Sequence, residues 1–317
     1  MRKRRGKRMK AYYFRYLNQN TARGTVHTAS ADGVKGAFCR CYMCSDGTPV
    51  RGEEISEERF RKFGDYISVL VLENLHDQDL KEVQRILREH HVGKVFLPYK
   101  DKAVGLKELE LADTVQILES GQEVCFQERG WNVWLKCLEN QDQGTLVMYH
   151  GPADEVKEKQ DCVLTEKPFG RTLPCQVCVD AENHACGMRC CLYNDYTICK
   201  GHNAKGFEGY VTGALLLGNT DLSRYQEELK NSLEKYRSDI RLVTLPGHGM
   251  EKKNTETFLN FLCGANENLN RYYVLPEGTE DNEKVLKTVM AKGSRQIPVL
   301  TNEENGFCLS GFFTEKV

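Results

Sequence analysis

Residues 67–98, ISVLVLENLHDQDLKEVQRILREHHVGKVFLP, and residues 212–246, TGALLLGNTDLSRYQEELKNSLEKYRSDIRLVTLP, are built to one plan. Each reads as a buried strand, a polar tip, a capped helix, a second strand and a closing Leu-Pro. In the first, Asp79 with Glu82 three residues on reads as a capping box, and Leu80, Val83, Ile86 and Leu87 form one apolar face. In the second, Ser223 with Gln226 repeats the device ahead of Tyr225, Leu229, Leu233 and Tyr236. Units of this kind place parallel strands in a sheet whose carboxyl ends share an edge, and ligand sites form outside such ends. The tips, residues 73–79 and 218–221, are therefore expected to face a common edge.

Around these units, strand character recurs near 11–17, 34–44, 131–138, 145–150, 186–192, 271–275 and 307–313. Ser56 opens a short helix that Gly64 closes, and a last helix over about 282–292 is stopped by Gly293. The N-terminal region and residues 131–150 read as antiparallel hairpins. Mixed sheets packed on each other with helices outside satisfy all of these segments at once. The expected class is α/β, a four-layer αββα sandwich formed by one domain over residues 9–317. Residues 151–185 are polar and turn-rich and begin a Cys-rich excursion over about 151–205, not a second core.

The order of elements over roughly residues 11–313 resembles the metallo-β-lactamase superfamily, in particular the stand-alone relatives of the hydrolase domain in DNA-uptake competence proteins. That family carries Thr-His-x-His-x-Asp-His after one strand, Thr-Gly-Asp after a later one, then Leu-Pro-His-His-Gly and a late segment with a histidine. The first motif falls here on Glu73, Asn74, Leu75, His76, Asp77, Gln78 and Asp79. The second falls on Gly218 and Asn219, and the third on Leu245, Pro246, Gly247, His248 and Gly249. The late segment resembles Val274 to Val285, which contains no histidine. Backbone-shaping residues are kept and ligands are lost.

A hydrolytic zinc site needs about three protein ligands and an open position for water, and a binuclear site adds a bridging carboxylate. Asn74 and Asn219 are neutral amides, and His76 and His248 are the only matched imidazoles. The expectation is that no metal cofactor sits at this edge. Asp77, Asp79 and Asp221 are the acids that a site for a hard ion such as magnesium would use. Their structural reading has Asp79 capping a helix, Asp221 in the turn before Ser223 and Asp77 in a solvated loop. The candidate site residues are thus His76, Asp77, Asp79, Asn219, Asp221 and His248.

Cysteines pose a separate question. Cys175, Cys178, Cys186 and Cys190 have the paired spacing of a structural zinc site, while Cys190 and Cys191 with Leu192 and Tyr193 read equally well as a strand. Cys39 and Cys41 share a strand face that excludes Cys44, which argues against a chelating trio. His150 and His184 read as satisfied or surface histidines. No phosphate-binding glycine loop, nucleophile elbow or dinucleotide fingerprint occurs, so those enzyme classes are set aside.

Residues 1–8, MRKRRGKR, hold six positive charges; they read as a nucleic-acid-binding arm or, better, as a translated ribosome-binding site ahead of a start at Met9. Without them the formal net charge of −1 becomes −7, which weakens a nucleic-acid role. With 14 cysteines, no export signal and no apolar run of membrane-spanning length, the chain is expected in the cytoplasm with reduced thiols and no membrane association. The functional expectation is a catalytically degenerate binding or regulatory subunit with a protein partner, as a symmetric homodimer by default. The alternative is a divergent metal-dependent hydrolase of phosphodiester or related ester substrates.

Overall fold

The computed structural model describes residues 9–19, 23–32, 37–45, 66–73, 77–128, 131–140, 143–152, 160–161, 171–172, 213–218, 220–245, 256–264, 271–276, 280–293, 296–301 and 307–315. The tail 1–8, the helix expected from Ser56, the strand expected at 186–192 and the four zinc-candidate cysteines lie outside these residues.

Among the described residues, two eight-stranded mixed sheets make up the framework. The first contains β1 (Met9–Gln19), β2 (Arg23–Asp32), β3 (Ala37–Ser45), β4 (Tyr66–Glu73), β5 (His91–Pro98), β6 (Thr114–Leu118), β10 (Gln160–Asp161) and β16 (Phe307–Glu315). Its order is β10-β16-β1-β2-β3-β4-β5-β6, antiparallel as far as β3 and parallel from β3 to β6. The second contains β7 (Glu123–Glu128), β8 (Trp131–Asn140), β9 (Gln143–Pro152), β11 (Arg171–Thr172), β12 (Gly213–Leu216), β13 (Ile240–Thr244), β14 (Arg271–Pro276) and β15 (Gln296–Thr301). Its order is β11-β15-β14-β13-β12-β9-β8-β7, with β12 to β15 parallel and the remaining pairs antiparallel.

Both repeated units take the expected form. In the first, β4 and β5 flank α1 (Asp77–Glu89); in the second, β12 and β13 flank α2 (Leu222–Leu233). Leu70 and Leu72 with Val95 and Leu97 present one sheet face, onto which Val83, Ile86 and Leu87 of α1 pack, and Ile67 and Val92 belong to the same apolar cluster. The second sheet turns Trp134, Val147, Tyr149, Leu215, Val243 and Tyr273 toward α2, α3 (Glu256–Cys263) and α4 (Glu280–Ala291). Removing these faces from water is the main driving force for assembling the layers.

The opposite faces meet. β4 and β5 lie against β9, Phe96 stacks on Phe126 with ring centroids 5.6 Å apart, and Lys94 Nζ is 2.7 Å from Glu128 Oε2. The result is the four-layer αββα sandwich that the sequence led us to expect, in an α/β chain with mixed sheets. None of the described helices is long and apolar enough to cross a membrane.

Several elements depart from the sequence reading. α1 opens at Asp77, so Asp79 lies in its first turn and is not its N-cap, and Asp77 is helical instead of in a loop. Acids in a first turn favour the helix through its dipole, so an earlier start suits both. α2 is capped by Asp221, two residues before Ser223, because the Asp221 carboxylate reaches the Ser223 amide. The strands β2, β6, β7 and β15, and the helix α3, have no counterpart in the sequence reading. β15 even contains Pro298, opposite Tyr273, which from sequence alone argues against an inner strand. His150 is 1% exposed on β9, which removes the surface half of its expected description.

Candidate functional site

The strand directions settle where the tips lie. β4 and β5 are parallel, with Val71 opposite Phe96, so Glu73 ends level with Pro98. β9 runs antiparallel to β12, with Leu216 opposite Met148, so β12 heads toward the Gly144 end of β9. A Cβ built on Gly144 would lie 2.5 Å from the Pro98 Cβ, so that end of β9 touches the carboxyl end of β5. The carboxyl ends of the parallel strands in both sheets therefore share one edge of the sandwich, and both polar tips stand on it.

The second tip is described in most detail. After β12 the chain passes through buried Leu217, whose amide donates to Thr244 at the end of β13, 3.4 Å from its carbonyl oxygen and 3.3 Å from its hydroxyl. Gly218 then takes φ +54, a left-handed conformation that glycine adopts without steric cost. The Thr220 amide donates back to the Leu217 carbonyl at 3.2 Å. The Thr220 hydroxyl is buried and has no hydrogen-bond partner among the described residues. Asp221 Oδ1 accepts from the Ser223 amide at 3.0 Å and from the Ser223 hydroxyl at 2.5 Å. The Asp221 carbonyl accepts from the Arg224 and Tyr225 amides.

Of the sequence candidates, Asp77, Asp79 and Asp221 fall in described backbone on this edge. His76, Asn219 and His248, with Asn74, lie outside the described residues, and Leu245 is buried at the end of β13. Among the described residues, no three His, Cys, Asp or Glu side chains gather in a way that could hold a metal ion.

Beside Tyr225, which the sequence places on a helix face, the fold brings to this edge Tyr99, Lys100, Glu139 and Arg224, which the sequence reading passed over. Tyr99 and Lys100 follow β5, with Lys100 at φ +63 and its ammonium 5.6 Å from the Tyr99 ring centroid. Burial, with a smaller contribution from the Glu139 carboxylate, pushes the Tyr99 phenol above its ordinary pKa. Glu139, near the β8–β9 turn, is 3.1 Å from Arg224, and its carbonyl accepts from the Tyr225 hydroxyl at 2.7 Å. Arg224 also lies over the Tyr225 ring, 5.0 Å from its centroid. These side chains tie the first turn of α2 to the hairpin, so the edge is a polar, braced surface. No local motif marks these contacts, because only the packing of α2 and of the end of β5 against the hairpin makes them neighbours.

No family model matches the chain and no curated protein matches it. In structure the chain is similar to the metallo-β-lactamase fold protein YhfI from Bacillus subtilis, at 11% identity across 96% of this chain and 100% of that one, with a TM-score of 0.44.

Proposed function

We propose that this chain is a catalytically degenerate metallo-β-lactamase-type protein that acts as a binding or regulatory subunit, with the polar edge as its contact surface. One observation carries the reading. Asp221, the candidate acid whose side chain is described, holds the amide and hydroxyl of Ser223 as the cap of α2. A carboxylate committed to a helix terminus is a poor metal ligand, since binding an ion would expose the amide it satisfies. The neutral amides at Asn74 and Asn219 support the same reading, because uncharged side chains bind hydrolytic metal ions weakly. A fold that keeps its frame while its ligands are replaced retains a shaped surface without the chemistry.

Elemental analysis of the purified protein tests the proposal, run beside His76→Ala and the double variant Cys175→Ser/Cys178→Ser. The expected result is metal that is absent or is lost only with the cysteines, the latter meaning a structural zinc on a non-hydrolytic scaffold. Stoichiometric metal lost with His76, together with chelator-sensitive cleavage of a phosphodiester, would replace the proposal with the divergent hydrolase.

A further inference from the structure

Among the described residues, the large hydrophobic side chains left exposed are Val104, Leu111, Val115 and Ile117, at 41, 55, 38 and 43%. All four belong to one stretch that runs from the 3-10 turns Lys102–Gly105 and Lys107–Leu111 into β6. β6 is the outermost strand of its sheet. Val115 lies beside Val95 and Ile117 beside Leu97, so they extend the apolar face that α1 and the 3-10 turns cover over β4 and β5. Among the described residues, this cover stops short of β6.

Residues Thr114–Leu118 contain no charge and no proline, so the strand itself carries none of the devices that block pairing along a free edge. Exposed acids bracket it instead: Glu110 and Asp113 before it and Glu119 after it. Asp113 is 2.9 Å from the His91 ring and stays more than half exposed. Glu108 is engaged by Arg88 and Gln84, and the exposed cation on the same 3-10 turn is Lys107.

This charge pattern decides between occupants. A second copy docking about a two-fold axis through Gln116 would pair Val115 with Ile117 of the second copy, which is favourable. The same register sets Asp113 against Glu119 at both ends, and like charges directly opposite are destabilising. A strand with the same apolar alternation but basic ends gains at every position. We propose that the free edge of β6 receives an extended segment of another protein, aliphatic or β-branched at alternate positions and basic at each end. Main-chain hydrogen bonds hold the added strand, Val115 and Ile117 set its register, and Asp113 and Glu119 select its charge. The inference stands apart from the edge at the strand ends and does not rest on the function proposed above.

The test uses the full chain and the peptide acetyl-Lys-Thr-Val-Thr-Val-Thr-Lys-amide, with a glutamate-ended analogue as control, read by binding titration and by amide hydrogen exchange. The basic peptide is expected to bind at concentrations below about 1 mM and to slow exchange within 114–118, with Ile117→Lys weakening it about tenfold or more. Asp113→Asn/Glu119→Gln, which leaves the apolar strand intact, is expected to weaken it several-fold at low salt and little at high salt. Absence of binding, equal binding of the glutamate-ended peptide, or protection elsewhere overturns the proposal. So does a dimer in sedimentation that Ile117→Lys dissolves, which would put a second copy on the edge.

Discussion

Tyr273 lies wholly inside the protein, and its hydroxyl donates to Gln296 Oε1 at 2.9 Å and lies 3.3 Å from Cys263 Sγ. Burial drives the Tyr273 pKa well above 10.0 and raises that of Cys263 above 9.0. Both groups are neutral when protonated, so above those ordinary values the unfolded chain releases protons that the folded chain keeps. The folded state therefore loses stability as pH climbs, beginning near pH 9, by up to about 1.4 kcal/mol per pH unit for each group. Denaturant titrations between pH 7 and 11 should show this loss, with a shallower slope in Tyr273→Phe; an unchanged slope would assign the loss to other groups. Arg271 beside this cluster is 1% exposed, its guanidinium donating to the carbonyls of Ile240 and Leu262. Replacing it by Met would leave those acceptors buried and unpaired, at a cost of about 3 kcal/mol.

For an element, the terminus decides much of what its sequence can do. Asp221 caps α2, so Asp221→Ala should cost about 1 kcal/mol in urea titration while Asp221→Asn costs a few tenths, since both native and amide side chains accept from a helix N–H. If Asp221 instead held a metal, Asn would remove the ion and Ala and Asn would behave alike. The helix α2 is visible in the sequence because Tyr225, Leu229 and Leu233 return to one face, yet its first residue is not, because Ser223 and Asp221 are both competent caps and only the backbone selects one. β2 and β15 show the reverse case. RGTVHTASAD has little apolar alternation and QIPVLT contains a proline, and each is a strand because neighbours on both sides supply its hydrogen bonds.

Across the whole molecule, the approach of the two sheets depends on Gly144, where a Cβ would meet Pro98 Cβ at 2.5 Å and Cys137 Sγ at 2.9 Å. Gly144→Val would force the layers apart at the edge that both tips share, and we expect a loss of about 2 kcal/mol, seen as a thermal midpoint lower by about 5 °C. An unchanged midpoint would mean that the sheets slide without penalty. The sequence by itself determined the parallel units and their helix faces, because hydrophobic periodicity is local and the buried runs ISVLVL and GALLL admit few alternatives. A common edge for the two tips is expected from the sequence, but the units lie in different sheets, and it is the contact of Gly144 with Pro98 that puts both carboxyl ends on one side. Only the tertiary structure decided which residues surround those tips. Tyr99, Glu139 and the adjacent pair Arg224 and Tyr225 come from three separate stretches of chain and meet through the packing of strands and helix α2. Pairwise contacts across such distances leave no periodic trace in one sequence, whereas a face repeating every few residues does.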